Sequence, residues 1–213
     1  MTNFVLVHSP HGGAYTWQPV ETLLRERGHH VATPTFRSTR TGPHYWVRNM
    51  NAILRMVQRP NAILVGHSGA GPLLAHVARW SEGSSCVYVD AGFRSRKISS
   101  LTDALPLTER GAGLVPAWAN DTDLAELLPD AATRANLIGS MTPMPREYFG
   151  EEIPYREPPD GSAYILLSPP YAEPAAEARA KGWPVRELAG QNHYLMLAQP
   201  EQVADSILAA LPS

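Results

Sequence analysis

Residues 62–71 read Ala62-Ile63-Leu64-Val65-Gly66-His67-Ser68-Gly69-Ala70-Gly71. A short apolar run ends in glycine, a serine stands at the apex, and a second apolar stretch begins at Leu73. That order predicts strand, sharp turn, helix. A serine at such an apex is held in a strained backbone conformation that lifts its Oγ above the sheet edge. Its neighbours at 66 and 70 must be small, because a larger side chain would strike the strand or the helix. The N-terminus of the following helix favours negative charge developing beside the serine. Ser68 is therefore the candidate nucleophile, and the Gly69 backbone N–H a candidate oxyanion donor. The usual form of this turn has glycine where this chain has Ala70, with Gly71 one step later.

Outward from the turn, strand and helix signals alternate. Phe4–Val7 reads as a short buried strand. Trp17, Val20, Leu23 and Leu24 follow at helical spacing between Pro19 and Gly28. His30–Phe36 reads as a strand, and Met50, Ile53, Leu54 and Val57 mark one face of a helix. Val87–Val89, Tyr164–Leu167 and Val185–Leu188 are further strands, and a final helix carries Val203, Ile207, Leu208 and Leu211 behind Pro200. This alternation predicts an α/β fold with a doubly wound, mainly parallel sheet. The stretch of about 91–160 breaks the rhythm with short helical pieces near Asp121 and Asp130, separated by prolines. It reads as a helical lid inserted over the strand ends, in a single domain spanning 1–213.

Composition narrows the functional classes. The chain has 213 residues, 44% hydrophobic, with 18 Lys+Arg against 20 Asp+Glu and a formal net charge of −2. That balance gives no footprint for nucleic acid or an anionic membrane. No apolar run reaches the roughly 20 residues of a membrane span. The N-terminus runs straight into a strand-like segment, so no signal peptide is expected. The single cysteine, Cys86, lies in an apolar run and reads as a small buried hydrophobe. Together these favour the cytoplasm. The expected partner is a small-molecule substrate, no metal or organic cofactor is implied, and the oligomeric state is left open.

A serine hydroxyl is a poor nucleophile until a neighbouring base takes its proton. The base should follow the last strand, and His193 does, in Gly190-Gln191-Asn192-His193-Tyr194-Leu195-Met196. Seven other histidines compete. His67 lies inside the elbow but reads as pointing away from the apex, and His8 and His11 lie in the first strand-to-helix loop.

Three segments together carry a resemblance: Phe4–Trp17 with His8-Ser9-Pro10-His11-Gly12-Gly13, the elbow at Gly66–Ala70, and Asn192–Leu197 followed by Pro200. They resemble the plant methylesterase and hydroxynitrile lyase group of the α/β-hydrolase superfamily and its bacterial esterase relatives. The resemblance covers roughly 3–90 and 163–211, and implies an α/β-hydrolase fold with a Ser-His-acid constellation. Two departures matter. The family's acid follows the penultimate strand, where this chain has Pro170; Asp90, ending the strand after the elbow strand, is the replacement candidate, with Glu173 behind it. The family's second oxyanion donor falls on Pro10, which has no N–H; Ser9, His11 or Gly12 would then supply it. In the lyases a lysine beside the histidine holds cyanide, and Tyr194 stands there instead, which argues against cyanohydrin chemistry.

The sequence thus predicts an esterase-like serine hydrolase acting on a small ester or acyl compound. A non-hydrolytic lyase or cyclase of small-molecule biosynthesis is the alternative, and a non-catalytic binding member the third reading. Two basic segments, Phe36–Arg40 and Phe93–Lys97, follow strands, and Arg94 with Arg96 would form a cationic rim for an anionic substrate. Trp118, Met141 and Met144 would line an apolar pocket.

Overall fold

Period-two alternation decides how the sheet is covered. On the first strand, β1 (Asn3–Val7), Phe4 and Leu6 face one hydrophobic layer, while Val5 and Val7 face the other. On β3 (Ala62–His67), Ile63 and Val65 join the first layer and Leu64 the second. Strands apolar on both faces belong inside a sheet with helices on each side. The computed structural model describes residues 1–36, 44–94, 96–97, 106–111, 113–188 and 192–211, with the side chains of 96–97 outside that description. In it β1 and β3 join β2 (His30–Ala32), β4 (Ser85–Val89), β9 (Ala163–Leu166) and β10 (Val185–Glu187). The six strands run in the order β10-β9-β4-β3-β1-β2, and every pairing is parallel.

Helix α1 (Gln18–Glu26) and the C-terminal α7 (Pro200–Ala209) cover the first face through Val20, Leu24, Val203 and Ile207. Helices α2 (Tyr45–Leu54), α3 (Gly71–Ala78) and α6 (Ala172–Ala180) cover the second through Ile53, Leu73, Leu74 and Ala175. The expected strand at 30–36 is shorter than its apolar pattern: β2 stops at Ala32. Pro34 lacks the N–H that continued pairing would require. Cys86 is fully buried on β4, and burial pushes its thiol up to about 12. No helix among the described residues is long and apolar enough to cross a membrane.

The segment between β4 and β9 holds the expected helices, α4 (Asp121–Leu124) and α5 (Ala131–Ser140), each with a side-chain cap, from Asn120 and Asp130. It also holds two small antiparallel sheets, β5 (Arg96–Lys97) with β8 (Glu152–Ile153), and β6 (Leu107–Arg110) with β7 (Gly113–Pro116). Strands of two and four residues are too short for alternation to be read from sequence. Met141 and Met144 are buried in the two hydrophobic layers and do not line the cavity described below.

The strand order reverses between β1 and β3, and a parallel sheet opens a crevice at that point, beyond the carboxyl ends of its strands. The loops after β1, β3, β4, β9 and β10 all leave from that same edge. They carry Ser9, Ser68, Asp90, Tyr171 and His193 respectively.

Candidate active site

The serine is built into its turn by close approach. Ser68 takes φ +55°, the left-handed region that costs a non-glycine residue about 1–3 kcal/mol. Two glycines enforce that posture. A Cβ on Gly66 would lie 2.8 Å from Leu74 Cδ1 on α3, and one on Gly71 only 2.0 Å from the Gly92 carbonyl oxygen. The glycine missing at position 70 is thus needed at 71, where the start of α3 meets the backbone after β4. Ala70 is fully buried.

Asp90 ends β4 with φ +42° and is wholly buried. Its Oδ1 accepts from the backbone N–H groups of Leu167 at 2.5 Å and Ser168 at 3.1 Å. Its Oδ2 accepts from the Ser168 hydroxyl at 2.5 Å and meets His193 Nδ1 at 3.0 Å. The carboxylate is therefore wholly an acceptor, and His193 carries its proton on Nδ1, leaving Nε2 as the basic nitrogen. Glu173, the other sequence candidate, is exposed on α6 at the cavity wall and does not pair with His193.

Two residues to which the sequence reading gave no role hold the histidine. His67 is fully buried, and its Nε2 lies 2.9 Å from the backbone oxygen of His193, to which it donates. Burial, and then the neighbouring His193, hold the His67 imidazole well below its ordinary pKa, so it acts as a neutral prop. Tyr171 stacks flat on the His193 ring, 5.0 Å between centroids at 4°. Its hydroxyl is 3.1 Å from Ser68 Oγ. In this structure Ser68 Oγ shares a hydrogen bond with that phenol and not with His193, although all three line one cavity. The signal available in the sequence was position alone: Tyr171 follows Pro170 in the loop where the family places its acid.

That cavity has a volume of about 690 Å³. Trp118, Leu124, Leu127 and Phe93 give it apolar walls. Tyr194, also lining it, is buried, and burial pushes its phenol up; a phenol has no cationic form, so position 194 supplies no cation. Of the expected cationic rim, Arg94 can be described. Arg94 does line the cavity, but its guanidinium is paired with Glu177 at 2.6 Å, and Glu173 and Asp123 line the same cavity. Arg96 lies on β5 with its side chain outside the description, and residues 37–40 of the other basic segment are outside the described residues.

The oxyanion loop is described at three residues. The Gly12 N–H is already bonded to the Ser9 carbonyl at 2.8 Å. The His11 ring stacks on Phe149 at 5.1 Å and meets Tyr148 edge-on, and burial lowers its pKa to about 4. Ser9 stays in range: a Cβ on Gly69 would lie 3.2 Å from Ser9 Oγ and 3.4 Å from Pro10 Cδ.

The profile of the alpha/beta hydrolase family matches residues 4–206. Among curated proteins, a sequence search finds no match. Solved structures share the fold at low identity. An extracellular alpha/beta-hydrolase from a Paenibacillus species superposes with a TM-score of 0.73 at 15% identity over 100% of both chains. Tomato methylketone synthase I does so at 0.73 and 17%, over 98% of this chain and 96% of its own. A methylesterase from Arabidopsis gives 0.66 at 17%, over 99% and 98%.

Proposed function

Because the chain belongs to the alpha/beta hydrolase family, we propose that it is a serine hydrolase cleaving a small, largely apolar ester. The observation that carries this reading is the Asp90–His193 contact of 3.0 Å, on a loop lining the same cavity as the strained Ser68. When an ester enters, the Ser68 hydroxyl leaves Tyr171 and gives its proton to His193 Nε2 as Oγ attacks the carbonyl carbon. Asp90 fixes the ring tautomer and stabilises the imidazolium that forms. The Gly69 N–H and the Ser9 hydroxyl take the developing oxyanion, Ser9 standing in for the donor that Pro10 lacks. One such donor is worth about 10²–10³ in rate. Acidic side chains at the cavity argue for a neutral acyl substrate and against an anionic one.

A second reading is favoured by one observation. Pro10 has no backbone N–H, and that of Gly12 is bonded to the Ser9 carbonyl. A lyase or cyclase that uses Ser68 and His193 only as acid and base needs less oxyanion stabilisation. One measurement separates the two: hydrolysis of short-chain p-nitrophenyl esters by the wild type and by Ser68→Ala. The hydrolase reading predicts turnover lost by about 10³ or more in the variant. No wild-type turnover, or turnover kept by Ser68→Ala, would overturn it.

A further inference from the structure

We propose that Tyr171 is a catalytic residue of this site, donating a hydrogen bond to the leaving-group oxygen as the ester bond breaks. The proposal rests on the serine hydrolase reading and adds a fourth side chain to it. Three observations fix where the phenol acts. Its oxygen is in contact with the attacking atom, 3.1 Å from Ser68 Oγ. Its ring lies parallel to the His193 imidazole, 5.0 Å between centroids, so the two side chains stand side by side in the wall of one cavity. Ser9 and Pro10 close on Gly69, the residue after the serine, while Tyr171, His193 and Ser68 line the cavity.

In the tetrahedral intermediate, Oγ shares its carbon with the oxyanion and with the leaving oxygen. A hydroxyl already touching Oγ is in reach of a neighbouring oxygen on that carbon. The oxyanion belongs to the Gly69 and Ser9 side, so the leaving oxygen falls to Tyr171 and His193. Acylation then runs as follows. The Oγ–carbonyl bond forms, the carbonyl–alkoxy bond breaks, and the proton that His193 took from Ser68 passes to the alkoxy oxygen. Tyr171 lends its hydrogen bond during the cleavage and keeps its own proton. In the resting site the same hydroxyl holds Ser68, which the substrate must release. The Pro169-Pro170-Tyr171 turn that starts α6 presents the phenol. The proline at the family's acid position thus belongs to a turn that brings a different group to the serine.

The test is Tyr171→Phe, which keeps the stacked ring and removes only the oxygen. It is read as kcat/KM, which reports acylation, over acetate esters from p-nitrophenyl through phenyl to ethyl. A nitrophenolate leaves without help, whereas ethoxide needs it. The expected result is a loss within twofold on the nitrophenyl ester and about tenfold or more on the ethyl ester, the value of one hydrogen bond made in the transition state. An equal loss on every ester would make Tyr171 a merely structural neighbour and overturn the proposal. So would no loss on any of them. If the wild type cleaves none of the esters, the hydrolase reading itself falls. If it cleaves them and the variant shows no leaving-group dependence, only the role of Tyr171 falls. A matched melting temperature for variant and wild type keeps the comparison clear of folding.

Discussion

Asp90 concentrates the most chemistry in one side chain. Four donors converge on it, from Leu167, Ser168 and His193, with no exposure to water. In Asp90→Asn an N–H₂ would stand among groups that are themselves donors, and a buried donor left unsatisfied costs about 1–3 kcal/mol. That variant is expected to lose both melting temperature and about 10³ or more in kcat/KM, read by ester hydrolysis. Unchanged turnover would remove Asp90 from the mechanism. His8 gives a second residue-scale prediction. It is fully buried, its Nδ1 touches the Ser9 carbonyl, and burial lowers its pKa from 6.5 to about 4. Between those two values the unfolded chain binds the extra proton and the folded chain does not, so stability falls as pH drops from 6.5 towards 4. The full effect is on the order of 3 kcal/mol. Melting temperature measured across that window should fall more steeply for the wild type than for His8→Gln, and parallel slopes would contradict the assignment.

At the scale of elements, the elbow was legible because its constraints are local. Strand, small residue, serine and helix are adjacent in sequence, and the φ of +55° at Ser68 follows from that crowding. The displaced glycine could be noticed but not explained, because its partner, the Gly92 carbonyl, comes from the loop after β4. Gly71→Ala is expected to cost about 1–3 kcal/mol or more in denaturant unfolding, since backbone and not a flexible side chain stands 2.0 Å from the new carbon. Ala70→Gly, which restores the commoner spelling of the turn, should cost no more than about 1 kcal/mol. Equal costs would contradict the close approach. Tyr171 and His67 were illegible for a related reason. Each acts through a residue more than a hundred positions away, in Ser68 or His193, and neither carries a motif of its own.

For the whole molecule, alternation of strands and amphipathic helices was enough to place the sheet, because both faces of β1 and β3 are apolar and must be covered. Charge counted along the chain does not show what folding brings alongside it: Arg94 of the expected cationic rim is paired with Glu177 on α6. Arg94→Ala should therefore shift KM for neutral and anionic esters alike, and a selective loss on the anionic ester would restore the rim. The central claim is that five loops from one sheet edge assemble an activated serine. Its most direct measurement is intact-mass analysis after treatment with a fluorophosphonate, with the adduct located by peptide mapping. The account predicts one adduct, on Ser68, formed by the wild type and absent or far slower in His193→Ala. An unlabelled wild type, or labelling that is indifferent to His193, would contradict it.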